Sequence, residues 1–206
     1  MAIEVRPGIT LDGVVGTGLS ERGALRRVLI ERRRALPTSE WERASNRICT
    51  HLETAFPELA AMRVAFCWPV KQEADLRPLM EKWAQAGRKG FQALLPVVIG
   101  KNRPLAFRAW TPDTPMVADR YGIPTPAAGD FLLPEALLLP VNGFDAAGHR
   151  IGYGGAYFDR TLVALHPRPL ALGVGFELAR LDSIEPTPHD QRLDAMVTEA
   201  GTFACA

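Results

Sequence analysis

The chain has 206 residues, with 24 lysines and arginines against 23 aspartates and glutamates and a formal charge of +1. That balance argues against a chain-wide nucleic-acid or membrane-surface role, so any basic site must be local. Apolar residues make up 47% of the chain, enough for the core of one domain, and no apolar run approaches the ~20 residues of a membrane span. Cys49, Cys67 and Cys205 are far apart and carry no metal or redox spacing. They read as reduced thiols of a cytoplasmic protein.

Residues 1–19 hold Glu4 and Asp12 among scattered glycines, without a basic start. The expectation is a disordered tail rather than a signal peptide, followed by a single domain over 20–206. A first helix opens at Ser20 as N-cap and ends before Pro37. Leu25, Val28, Leu29 and Leu36 fall on one stripe of it, and Arg22, Arg26 and Arg33 on another. An arginine stripe of this kind reads first as a solvated face. Ser39-Glu40-Trp41-Glu42 reads as a capping box for a second helix that runs to Ala55.

Arg63–Trp68 is a short apolar run suited to a buried strand, and a helix from about Asp75 stops at Gly87. Phe91–Val98 and Leu105–Trp110 read as strands joined by the turn Gly100-Lys101-Asn102-Arg103. Thr111 to Pro134 looks irregular, and a loop that long in a compact domain is often functional. Ala136–Val141 and Leu170–Gly175 bracket a glycine loop and a helix, a βαβ unit that implies an α/β fold with a partly parallel sheet.

The most telling stretch is Gly148-His149-Arg150-Ile151-Gly152-Tyr153-Gly154-Gly155-Ala156-Tyr157-Phe158-Asp159-Arg160. Glycines let backbone amides approach a ligand, and a helix opening at Ala156 turns its free N-terminal amides to the same place. Arg150 could clamp a phosphate and Asp159 could hold a divalent cation. The plain alternative is a tight strand-to-helix connection, because a lone glycine loop is a weak signal and no Walker pattern is present.

Together with the preceding Pro140-Val141-Asn142-Gly143-Phe144-Asp145, this stretch resembles the signature of the 5-formyltetrahydrofolate cyclo-ligases (methenyltetrahydrofolate synthetases). Ala156 stands where that family has a third glycine, and Phe158 where it has a second tyrosine. Tyr121-Gly122-Ile123-Pro124-Thr125-Pro126 is similar to a second family motif, with Thr125 in place of a glutamate. Pro188 to Glu199 is similar to the closing motif, in which Asp190 matches a magnesium-associated aspartate. His189 beside it reads as a solvated or structural histidine.

The resemblance implies a single-domain α/β fold of the NagB/RpiA/CoA transferase-like kind, its central mixed, mostly parallel sheet flanked by helices. It implies ATP- and Mg-dependent closure of 5-formyltetrahydrofolate to 5,10-methenyltetrahydrofolate. The residues implied at ATP are Arg22, Arg26, Arg150, Gly152, Tyr153, Gly154, Gly155, Ala156 and Phe158. Those implied at the reduced folate are Trp68, Glu73, Tyr153 and Tyr157; without the resemblance, Trp68 reads as core and Glu73 as a solvated loop acid. Asp159 and Asp190 are the implied magnesium ligands, and Arg150 and Tyr157 the catalytic groups. A monomer without nucleic-acid or membrane partners is expected. Two alternatives stay open: a phosphosugar isomerase-like enzyme on a related sheet, and a folate- or nucleotide-binding relative without turnover.

Overall fold

The computed structural model describes residues 21–205, so the expected tail and the Ser20 cap lie outside the described residues. In chain order the elements are α1 (Glu21–Arg34), α2 (Thr38–Ala55), β1 (Arg63–Ala65), α3 (Arg77–Gln85), β2 (Gln92–Val97) and β3 (Ala106–Ala109). Next come β4 (Met116–Ala118), β5 (Pro124–Pro126), β6 (Ala136–Pro140), β7 (Gly143–Phe144), β8 (Arg150–Ile151) and α4 (Tyr157–Ala164). The chain closes with β9 (Leu170–Val174), β10 (Ala195–Thr198) and β11 (Gly201–Ala204).

Seven strands form one sheet in the order β11-β10-β9-β6-β1-β2-β3. The five inner strands run parallel, while β3 and β11 pair antiparallel at the two edges. This is the mixed, mostly parallel sheet that the sequence implied. The inner strands read as near-continuous apolar runs because both faces are covered. On one face Val64, Leu95, Leu138 and Leu172 meet Ile48 and Leu52 of α2 and Leu79, Met80 and Trp83 of α3. On the other, Leu94, Leu137, Leu139 and Ala171 meet Leu162 of α4 and Phe107.

The crossover from β1 through α3 reaches β2 on one side, whereas that from β6 through α4 reaches β9 on the other. Because β1 and β6 are neighbours, the chain diverges at their carboxyl ends and leaves a crevice there, the usual ligand position of such sheets. α1 lies across this end: Leu25 and Leu29 pack on Ile151, Leu181 and Ile184.

Three local expectations are corrected. Pro37, not Ser39, caps α2; the proline's extended backbone lets its carbonyl accept the amides of Glu40 (3.0 Å) and Trp41 (2.9 Å). The stretch 111–134 is not wholly irregular, since β4 and β5 form a hairpin whose Thr125 hydroxyl donates to the Pro96 carbonyl at 2.8 Å. Arg33 is not on a solvated stripe but is buried, 4% exposed.

Candidate functional site

Three segments meet at the β1/β6 switch point. The first is the loop after β1, which turns through Lys71 and Gln72, both at positive φ, and delivers Glu73. The second is Val141-Asn142 after β6, leading into the β7–β8 hairpin. The third is the glycine loop 152–156, which opens α4.

Gly154 is favoured by its backbone, at φ +89°, and Gly155 by the nearby Tyr157 ring. A Cβ on Gly154 would come within 3.3 Å of the Arg26 guanidinium, and one on Gly155 within 2.9 Å of the Tyr157 ring. Ala156 also sits in the left-handed region, at φ +50°, and no side chain caps α4. The first amides of α4 are therefore available to an anion.

The cations gather around this loop. Arg26 donates through Nε to the Gly152 carbonyl. Burial, with Arg22 one turn away, lowers its pKa, the signature of cations that an anion would relieve. Arg160 donates to the Gly155 carbonyl at 2.6 Å and lies over the Tyr157 ring. Beside them, a cleft of about 340 Å³ is lined by Arg26, Arg27, Arg34, Lys71 and Tyr153 among others.

The expected metal and phosphate groups are close together but paired with one another. Arg150 binds Asp159 at 2.7 Å, and the same carboxylate oxygen accepts the Gln191 amide at 3.1 Å. Arg22 binds Asp190 at 2.9 Å, and Asp190 also accepts the amide (2.7 Å) and hydroxyl (3.0 Å) of Thr187. Burial pushes the Asp190 carboxyl up, but the Arg22 and Thr187 hydrogen bonds outweigh it and leave its pKa below the usual aspartate value. Among the described residues, no three His, Cys, Asp or Glu side chains form a metal cluster. The donors fit an ion held by one or two carboxylates plus phosphate oxygens better than an all-protein cage.

Glu73, which the glycine loop meets through Tyr153, is 4% exposed. Its Oε1 accepts the Tyr153 hydroxyl at 2.7 Å and its Oε2 the Val70 amide at 3.1 Å. Burial raises its pKa, against the opposing pull of Arg33 and these hydrogen bonds. Lys71 Nζ lies 5.4 Å from the centre of the Tyr153 ring.

Trp68 is half-buried, edge-on to Trp110 and beneath Arg77 at 4.7 Å. Phe158 packs against the core on the face of the sheet that α4 covers. The Tyr157 hydroxyl meets that of Tyr121 at 2.9 Å, a bond that raises its pKa. His189 is exposed. The structure brings the expected Arg22, Arg26, Arg150, Asp159 and Asp190 into the region of the glycine loop, and adds contacts of Arg33, Asn142 and Tyr121 that the sequence did not point to. Only the Tyr121 motif carried any signal for its residue.

A single α/β domain with a ligand crevice beside a glycine-loop helix is the class that fold and site define. The sequence profile of the 5-formyltetrahydrofolate cyclo-ligase family matches residues 19–199, and the chain belongs to that family. It is 28% identical over 174 residues to the 5-formyltetrahydrofolate cyclo-ligase of Escherichia coli, covering 82% of this chain and 94% of the relative. The fold is similar to the NMR structure of Aquifex aeolicus 5,10-methenyltetrahydrofolate synthetase (TM-score 0.77, 24% identity, 89% and 92% of the two chains). It is also similar to a 5,10-methenyltetrahydrofolate synthetase of Mycoplasma pneumoniae (TM-score 0.69, 20% identity, 87% and 99%). Among the described residues, no helix is long and apolar enough to cross a membrane.

Proposed function

We propose that this protein is a 5-formyltetrahydrofolate cyclo-ligase that uses Mg-ATP, releases ADP and phosphate, and works as a cytoplasmic monomer. The observation that carries the reading is the glycine loop itself, which meets Arg26 at the Gly152 carbonyl and the buried Glu73 carboxylate at the Tyr153 hydroxyl. ATP phosphates suit the first and the reduced folate the second.

The chemical obstacle is that a formamide oxygen leaves poorly. Transfer of the γ-phosphoryl group to that oxygen, followed by attack of N10 on the activated carbon and loss of phosphate, removes it. Such a transfer needs positioning and charge neutralisation more than a protein nucleophile. Arg22, Arg26 and the amides of Gly152, Tyr153, Gly154, Gly155 and Ala156 hold phosphate oxygens. Magnesium, when bound, neutralises phosphate charge, with Asp159 and Asp190 as its protein ligands. Arg150 acts first on Asp159 and the Gln191 carbonyl, fixing the carboxylate. Tyr153, Tyr157, Glu73 and Trp68 border the folate, and Phe158 backs the loop from the core.

The test is a spectrophotometric assay of purified protein with 5-formyltetrahydrofolate and Mg-ATP. ATP-dependent appearance of the methenyl chromophore is expected. Absence of product while either ligand still binds would favour a relative without turnover, in which Ala156, Phe158 and Thr125 mark the divergence.

A further inference from the structure

Arg33 lies seven residues beyond Arg26 on α1, about two turns further along the helix. Its side chain is 5% exposed, unusual for a cation on a terminal helix. All three nitrogens are engaged. Nε donates to the Lys71 carbonyl at 3.0 Å, Nη1 to Asn142 Oδ1 at 2.9 Å, and Nη2 to the Tyr153 hydroxyl at 2.9 Å. Nη2 also lies 3.8 Å from Glu73 Oε1, which the Tyr153 hydroxyl itself bonds. One guanidinium therefore ties together the loop after β1, the segment after β6 and the glycine loop.

These are the three segments whose divergence opens the crevice. Burying a cation against a buried carboxylate is a costly way to fill a core, and an apolar pair of similar volume would often hold the fold as well. What the pair adds is direction: a planar fork with fixed donors places three acceptors at once, which a lysine cannot do. Asn142 adds an independent observation. Arginine has no acceptor, so the Asn142 carbonyl oxygen must face it and Nδ2 must turn away. That Nδ2 is buried and has no protein partner. A buried donor without a protein partner calls for an explanation, and this one belongs to a side chain in direct contact with Arg33.

We propose that Arg33 is the positioning residue of the folate side of the site, holding Tyr153 over Glu73 and orienting the Asn142 amide. It does not touch the reacting atoms; it acts through these three side chains. The inference rests on the cyclo-ligase reading for its substrate, though not for its geometry.

The experiment compares the full-length wild type with Arg33→Lys, Tyr153→Phe and the double variant. Arg33→Lys keeps the charge opposite Glu73 and loses the fork. Its KM for 5-formyltetrahydrofolate should rise about tenfold, equivalent to one charge-assisted hydrogen bond, with the KM for ATP nearly unchanged and kcat less affected. The double variant should be little worse than Arg33→Lys alone, because both changes break one chain of contacts. Equal rises in both KM values, no change in either, or full additivity would overturn the proposal. If Arg33→Lys cannot be recovered folded, Tyr153→Phe must show the same split in KM or the proposal falls. If the wild type forms no methenyl product, the activity reading fails separately, and amide hydrogen exchange decides the geometry. Arg33→Lys should then speed exchange at residues 152–156 while the inner strands stay protected; unchanged or uniformly faster exchange would overturn the positioning role.

Discussion

One oxygen of Asp159 accepts both the Arg150 guanidinium, at 2.7 Å, and the backbone amide of Gln191, at 3.1 Å. Since Gln191 directly follows Asp190, this carboxylate links β8, the start of α4 and the segment bearing the second aspartate. Arg150 is 5% exposed on its side chain and also donates to the Gln191 carbonyl, so its first role is to hold this junction together. Arg150→Ala should destabilise the protein by about 3 kcal/mol, the lower end for breaking a buried pair, because a fifth of the Asp159 side chain stays exposed. Urea unfolding checks it. Arg150→Ala with Asp159→Asn should cost less than the sum of the two, and strict additivity would mean the pair is not coupled.

Asp159→Asn preserves the size of the side chain and one acceptor oxygen while removing the charge. If Asp159 serves a phosphate-bound ion, half-maximal turnover should need several-fold more magnesium, alongside the lower thermal midpoint expected from leaving Arg150 buried opposite a neutral amide. A magnesium titration identical to the wild type would remove Asp159 from any metal role and leave only its bond to Arg150.

The architecture was legible because the inner strands are covered on both faces and so read as uninterrupted apolar runs. Leu137-Leu138-Leu139 in β6 and Leu170-Ala171-Leu172 in β9 need no alternation to be recognised. The glycine loop and the aspartates were legible for a different reason, since their order in the chain matches a family signature. Arg33 was not legible. It shares a helical stripe with Arg22 and Arg26, and only the fold shows that the loop after β1 reaches over its guanidinium and takes it out of water. Tyr121 stood in a noted motif, but its contact with Tyr157, 36 residues on in the chain, was not legible because the hairpin that carries it read as irregular.

Glu73 and Asp190 should impose opposite pH slopes on stability. The Asp190 pKa is depressed in the folded state, so its contribution is present at neutral pH and lost as pH falls below the ordinary value of 3.8. The Glu73 pKa is raised, so its contribution is complete below the ordinary value of 4.5 and is lost as pH rises through the folded value. Thermal midpoints from pH 3 to 8 separate the two. Wild type minus Glu73→Gln should fall as pH rises, whereas wild type minus Asp190→Asn should fall as pH drops. A difference for Glu73→Gln that does not vary with pH would mean the carboxyl titrates alike in the folded and unfolded chains.

Tyr121 projects from the β4–β5 hairpin, whose turn is held by Asp119: Oδ1 accepts the amides of Tyr121 at 2.7 Å and Ile123 at 2.9 Å. Its ring stands edge-on to Tyr157, with centroids 6.2 Å apart. Tyr121→Phe should keep that ring contact and lose the hydroxyl bond, leaving turnover within about twofold, because an exposed hydrogen bond contributes little net free energy. Tyr121→Ala should remove both contacts and reduce turnover further. Equal losses in the two variants would show that the hydroxyl, and not the ring, is what Tyr157 requires.

Ala156 occupies a left-handed position, φ +50° and ψ +26°, at the mouth of the glycine loop. A non-glycine residue there costs roughly 1–2 kcal/mol. Replacing it with glycine returns about 0.4–1 kcal/mol of that gain to the unfolded chain as added backbone freedom. Ala156→Gly should therefore stabilise the protein by about 0.5 kcal/mol net, a rise of about 1–2 °C in thermal midpoint for a chain of this size. The methyl group also stands beside the free amides of α4, so its removal should let an anion approach more closely. The KM for ATP should fall or stay level, and not rise. A lower thermal midpoint in Ala156→Gly would show that the methyl group packs usefully and that the left-handed backbone carries no net cost.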